Sequence, residues 1–185
     1  MFSRKQTQSA SVSSTMTDKN KRYENLVLAL HADIFRYAYW LVKDKAVAED
    51  IVQETFLRAW KSLDSLNDEK AAKSWLITIL RRENARRFER KQFDLVDIDD
   101  VTVIDEQLTS ETEIEHRELR VIMASLSEEY REPLMLQIVM GYSGDEIAEQ
   151  LNLNKNTVMT RLFRARNQVK EALDKANENR GRKNG

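Results

Sequence analysis

Residues 81–91, RRENARRFERK, place Arg81, Arg82, Arg86, Arg87, Arg90 and Lys91 within one short run. Guanidinium groups stay protonated and offer planar forks that match phosphate oxygens, so they activate no water and serve as no nucleophile. The chemistry they suit is capture of a polyanion, and Phe88 in their midst supplies a ring on which a base can stack. A second group falls in SGDEIAEQLNLNKNTVMTRLFRARNQV, residues 143–169, where Thr157, Thr160, Arg161, Arg164 and Gln168 share one outward sector of a helical pattern. Thr and Gln reach base edges or phosphates, and Arg reaches guanine edges or phosphates, so these types suit a major groove.

A third group is acidic. Asp50, Gln53, Glu54, Leu57 and Lys61 lie together on one side of a helical stretch, a carboxylate stripe with one unprotected leucine in it. That composition suits docking of a basic protein surface. No carboxylate is paired with a nucleophile, a ligand set or a phosphate loop, and GYSG at 141–144 lacks the spacing of a phosphate-binding turn. The chain is therefore expected to be no enzyme and to need no cofactor. Cysteine is absent and the two histidines, His31 and His116, lack ligand-spaced partners, so no metal site is expected.

The elements that must hold these groups read as helices throughout. With 4 glycines and 1 proline in 185 residues, and Ala, Leu, Glu, Lys, Arg and Gln abundant, the expected fold class is all-α: two small helical domains joined by an acidic flexible linker. Residues 1–21, polar and without periodicity, are expected to form a disordered leader. Tyr23, Leu26, Val27, Leu30, Ile34, Tyr37, Ala38 and Leu41 keep helical spacing. Asp44 then caps a second helix that buries Val47, Ile51, Thr55, Phe56, Ala59, Trp60 and Leu63. A third helix begins near Ser74, and its stripe Trp75, Ile79 continues on the same face as Arg82, Arg86 and Arg90, as in a helix that leaves its core to meet an anion. These helices compose a domain over residues 22–91.

Residues 92–118 hold ten acidic side chains against one arginine and carry no helical stripe before about residue 111, so 92–112 reads as the linker. The second domain is expected over 113–175. Leu119, Ile122, Met123 and Leu126 open it, a new helix starts at Ser127, and Pro133 predicts a kink or a later start there. Ser143 and Glu146 have the spacing of a capping box. Ile147 and Leu151 face inward, small Ala148 lets two helices approach, Asn152 tolerates a left-handed turn, and Asn154 caps the next helix, which buries Val158, Leu162, Ala165 and Val169. That sequence of features is a DNA-binding helix-turn-helix. Residues 176–185 are expected to be a flexible basic tail. No apolar run is long enough to span a bilayer, and the expected location is the cytoplasm.

The charge pattern supports two basic surfaces separated by an acidic bridge, although 30 Lys+Arg nearly balance 31 Asp+Glu. At this point the chain resembles a family, the extracytoplasmic-function sigma factors of bacterial RNA polymerase. AEDIVQETFLRAWKSL (48–63) looks like the family's region two signature, KSWLITILRRENARRF (73–88) looks like the promoter-melting helix, and Leu126 to Arg166 looks like region four. The resemblance implies that Asp50, Gln53, Glu54 and Leu57 dock on the clamp of core RNA polymerase. It implies that Lys73, Arg81, Arg82, Arg86, Arg87 and Arg90 serve the minus-ten element. Lys155, Asn156, Thr157, Thr160, Arg161 and Arg164 would serve the minus-thirty-five element. Promoter DNA and an anti-sigma factor are the other implied partners, with no membrane insertion of the chain's own.

Two positions depart from the family pattern: Arg82 stands where many members carry Asn in the melting helix, and Met159 where a basic residue is frequent. Two other readings fit the residues alone. A stand-alone helix-turn-helix regulator would bind duplex DNA through 143–170 without polymerase, and a helical adaptor would bind only proteins.

Overall fold

A computed structural model describes the backbone of residues 4–93 and 111–183, and the side chains of residues 16–89 and 118–178. Seven helices make up the described residues: α1 (Arg4–Val42), α2 (Lys45–Ser62), α3 (Ala72–Phe93), α4 (Glu111–Ser125), α5 (Glu128–Ile138), α6 (Gly144–Leu151) and α7 (Lys155–Lys183). Two short 3-10 turns, Leu63–Ser65 and Glu69–Ala71, lie between α2 and α3. By contacts the chain divides into a first unit of residues 1–35 and 49–96 and a second unit of residues 36–48 and 97–185.

Each helix end has a local cause. Lys43, with φ +62°, takes the left-handed conformation that stops α1, and the Asp44 carboxylate accepts the Val47 amide at 2.9 Å to open α2. In the first unit Leu26, Ile34, Ile51, Val52, Phe56, Ala59, Leu63, Leu76, Ile77 and Leu80 are buried. Aromatic contacts add to this core: Tyr23 meets Trp60 edge-on at 5.1 Å, and His31 stacks on Phe56 at 5.6 Å. The Tyr23 hydroxyl donates to the Phe56 carbonyl at 3.0 Å, and burial raises its pKa.

The second unit buries Met123, Leu126, Leu134, Met135, Leu136, Met140, Ile147, Val158, Leu162 and Ala165, and α7 packs on α4, α5 and α6. Tyr37, fully buried, belongs to this unit and donates its hydroxyl to Glu132 at 2.8 Å. Arg131 is buried as well. Its Nη1 donates to the Leu126 carbonyl, just past the end of α4, at 2.7 Å and to that of Ala124, in its last turn, at 3.4 Å, so a guanidinium ties the end of α4 to α5 across the turn. Burial is the main cause lowering its pKa, opposed by the nearby carboxylates of Glu128 and Glu132.

Four expectations differ from this structure. Helix α1 runs from Arg4 through most of the stretch expected to be a disordered leader, because propagating an existing helix costs far less than nucleating one. Helix α7 likewise continues to Lys183 where a flexible tail was expected. Of the kink or later start expected at Pro133, the later start does not occur: α5 starts at Glu128 and continues through the buried proline. The face of α3 is also shifted by one position. Its core side is Leu76, Ile77 and Leu80, continued by Glu83 and Asn84, whereas Trp75 and Ile79 are half-buried. A tryptophan attracts the stripe in a sequence reading, but the core takes the aliphatic side chains one position on. Residues 94–110, most of the expected linker, lie outside the described residues.

Candidate functional site

The helix-turn-helix is built as its sequence requires. Ser143 accepts the Glu146 amide at 3.3 Å, and the Glu146 carboxylate accepts the Ser143 amide at 2.8 Å and its hydroxyl at 2.7 Å, a complete capping box that opens α6. The Ser143 amide first, and then its hydroxyl, hold the Glu146 carboxyl below its ordinary pKa. Asn152 closes α6 at φ +54°, ψ +47°, and the Asn154 side chain accepts the Thr157 amide at 2.8 Å to start α7. Val158, Leu162 and Ala165 point inward with nothing exposed, which fixes the rotation of α7 and turns its opposite sector outward.

That outward sector forms one wall of a cleft. Asn154, Asn156, Thr157, Thr160, Arg161 and Arg164 line it from α7 and its cap. Glu129 and Tyr130, in the first turn of α5, form the facing wall of a concavity of about 490 Å³. Arg161 lies 3.6 Å from Glu129, and Arg164 donates to the Tyr130 hydroxyl at 3.4 Å. Five of the six residues expected here, Asn156, Thr157, Thr160, Arg161 and Arg164, therefore converge. Lys155 does not join them and pairs with Asp145 at 2.9 Å.

Glu129 and Tyr130 were missed by sequence reasoning. They precede the helix-turn-helix by more than a dozen positions and read only as a helix first turn, so no local signal ties them to α7. Met159 and Phe163, spaced by one helical turn, are both substantially exposed, and Met159 sits beside the α6 start, where a Cβ added at Gly144 would meet its sulfur at 3.1 Å.

In the first unit, Asp50, Gln53 and Leu57 are exposed on α2, the leucine at 47%. Glu54 is half-buried and already engaged: its carboxylate is 3.1 Å from Arg58 Nε. Thr55 is fully buried and donates to the Ile51 carbonyl at 2.7 Å, so it belongs to the core.

The arginines of α3 do not form one face. Arg86 and Arg87 border a concavity of about 320 Å³ whose other wall carries Asp50 and Glu54. Arg81, two residues from Glu83, projects from the far side of the helix, and Arg82 is exposed between them. Lys73 pairs with Asp33 at 3.4 Å and stands apart at the start of α3. Phe88 is 59% exposed on the arginine-rich stretch. The Arg90 side chain lies outside the described residues. Asn84, buried behind Arg82, has an Oδ1 with no hydrogen-bond partner among the described residues.

No described helix is long and apolar enough to cross a membrane. Comparison with known proteins agrees with this geometry. The family model for Sigma-70 region 2 matches residues 26–93, and that for Sigma-70, region 4 matches residues 116–169. The RNA polymerase sigma factor SigV of Bacillus subtilis is 34% identical over 133 residues, covering 72% of this chain and 80% of SigV. The ECF RNA polymerase sigma factor SigX of the same organism is 29% identical over 140 residues, 70% of this chain and 72% of SigX. Among solved structures, the sigma factor RpoE of Bartonella quintana, crystallised with the anti-sigma factor NepR, is similar with a TM-score of 0.70 and 28% identity. That likeness covers 83% of this chain and 98% of RpoE.

Proposed function

The chain belongs to the extracytoplasmic-function sigma factors of RNA polymerase, and from that membership we propose how its surfaces divide the work. As an alternative sigma factor it directs core polymerase to promoters. The exposed side of α2, with Asp50, Gln53, Glu54 and Leu57, docks on a basic surface of the core enzyme. The α3 arginines bind the minus-ten region, where Phe88 offers a stacking ring for an unpaired base. The cleft on α7 reads the minus-thirty-five element in the major groove through Thr157, Thr160, Arg161 and Arg164 on its α7 wall.

The observation that supports this reading best is the convergence of five expected residues of α7 on one open cleft beside a capped helix-turn-helix. Binding rather than bond chemistry does the work. Lys and Arg contacts to phosphate supply salt-sensitive affinity, and base-edge contacts fix the register. Opening the duplex costs a few kcal/mol per base, offset where extruded bases find protein partners. A chain of this size then depends on polymerase to hold the open state. The work places the protein in the cytoplasm. An anti-sigma partner is expected to silence it by covering the docking face; the related RpoE was crystallised in complex with the anti-sigma factor NepR.

Transcription in vitro from a genomic fragment library, with core polymerase alone and with core plus this protein, tests the reading. New start sites sharing two spaced upstream motifs are expected. Absence of new starts, with the protein binding duplex DNA by itself, would make it a stand-alone regulator instead.

A further inference from the structure

We infer that Glu83 is a positioning residue that couples the docking face to the DNA face of the first unit, restraining Arg86 until a cationic partner engages Glu54. The inference rests on the surface roles proposed above.

Its basis is an unbroken chain of four charges. Arg58 Nε lies 2.6 Å from Glu83 Oε1 and 3.1 Å from Glu54 Oε1, with hydrogen-bond geometry to neither. Arg86 Nη1 donates to that same Glu83 oxygen at 2.7 Å. Two guanidinium groups thus share one oxygen atom, and one of them is also shared between two carboxylates. Glu83 is only 8% exposed, at a position of α3 that continues the core stripe of Leu76, Ile77 and Leu80. An apolar side chain there would serve stability as well or better, since buried ion pairs recover little beyond their desolvation cost. The carboxylate is better explained by what it holds. Asp50 and Glu54 stand on one wall of the concavity and Arg86 and Arg87 on the other, with Arg58 and Glu83 between them.

The direction of coupling follows from the sharing. A cationic surface that engages Glu54 repels Arg58 and withdraws its second acceptor. Arg58 then takes Glu83 alone, Arg86 loses its claim on Oε1, and its half-exposed guanidinium becomes available to phosphate. Docking on polymerase would in this way strengthen the DNA face, and by reciprocity DNA would strengthen docking.

The test uses the full chain and a fluorescein-labelled oligothymidine, read by anisotropy across a salt series. Glu83→Gln frees Arg86, and one added phosphate contact to a single strand is expected to tighten binding roughly fivefold at about 0.1 M salt and to steepen the log–log salt slope by about 0.7. Glu54→Ala is expected to act in the same direction with a smaller gain. It should add nothing in the Glu83→Gln background, and both gains should vanish with Arg86→Ala. A purely structural role of Glu83 would change thermal unfolding without steepening the salt slope. Gains that add independently, or that survive Arg86→Ala, overturn the inference. If Glu83→Gln fails to fold, the surface pair Glu54→Ala and Glu54→Ala/Arg86→Ala gives the same decision. New transcription starts by the unmodified protein alongside independent gains would sink the coupling alone. Failure to bind either oligothymidine or core polymerase would sink the surface roles with it.

Discussion

Arg161 and Glu129 face each other at 3.6 Å across the cleft between α7 and the first turn of α5. If α7 meets DNA as proposed, the carboxylate would compete with any phosphate for that guanidinium and so restrain affinity on every sequence alike. Glu129→Gln is therefore expected to tighten binding to all duplexes, by up to roughly eightfold at about 0.1 M salt if one phosphate contact is gained. Anisotropy on a promoter duplex and a scrambled one checks this. A gain confined to the promoter would mean that Glu129 itself reads a base.

Arg161 and Arg164 line the same cleft from α7, and under the proposed reading each would meet a base edge or a phosphate. Each Arg→Ala substitution is expected to cost about 1–3 kcal/mol on the promoter duplex and much less on a scrambled one. Equal losses on both duplexes would reassign the residue to the phosphate backbone.

Asp50 and Glu54 give α2 its acidic outer side while its inner side is closed by Ile51, Val52, Phe56 and Ala59. Reversing both charges, Asp50→Arg with Glu54→Arg, leaves that core untouched and should abolish binding to core polymerase while preserving helical content. Co-purification with core enzyme, alongside far-ultraviolet circular dichroism, reads the two effects separately. Retained polymerase binding would remove the docking role from this face.

The helix-turn-helix was legible in the sequence almost residue by residue. Its caps at Ser143, Glu146, Asn152 and Asn154 act within four positions, and each local choice has one backbone solution. The buried side of α2 was equally clear, because an unbroken apolar stripe fixes a helix's rotation. What escaped notice is long-range. The Arg58–Glu83 contact joins two helices, and the Glu129–Arg161 contact joins residues 32 positions apart. In sequence those four charges are ordinary members of solvated faces. Helix α3 was misread by one position, since its leucines and isoleucines are confined to its first half and Trp75 drew the stripe away from Leu76, Ile77 and Leu80.

Arg131 ties α4 to α5 by donating to two carbonyls that the end of α4 leaves without helical partners. Arg131→Ala would strand those acceptors and empty the space, at a cost of about 2–3 kcal/mol. Lysine should rescue little, because a single ammonium on a flexible stem does not reproduce the planar donor. Denaturant unfolding of the full chain measures both, and full stability of either variant would show that water replaces the guanidinium.

The capping box makes the second unit sensitive to acid through Glu146. Its carboxyl is held below the ordinary value by the Ser143 amide and hydroxyl, so the folded state favours the ionised form. A group of this kind contributes stability above its unfolded pKa, about 4.3 for glutamate. The contribution is lost as pH falls below that value and through the lower folded one. Ser143→Ala removes the hydroxyl that caps the α6 amides and is expected to cost about 1 kcal/mol at neutral pH. The difference between Ser143→Ala and the unmodified protein should then narrow as the medium is made more acid than pH 4, since protonated Glu146 no longer rewards the donors facing it. Thermal unfolding followed across that pH window checks the sign. A difference that widens on acidification would show that the serine acts chiefly through something other than the carboxylate.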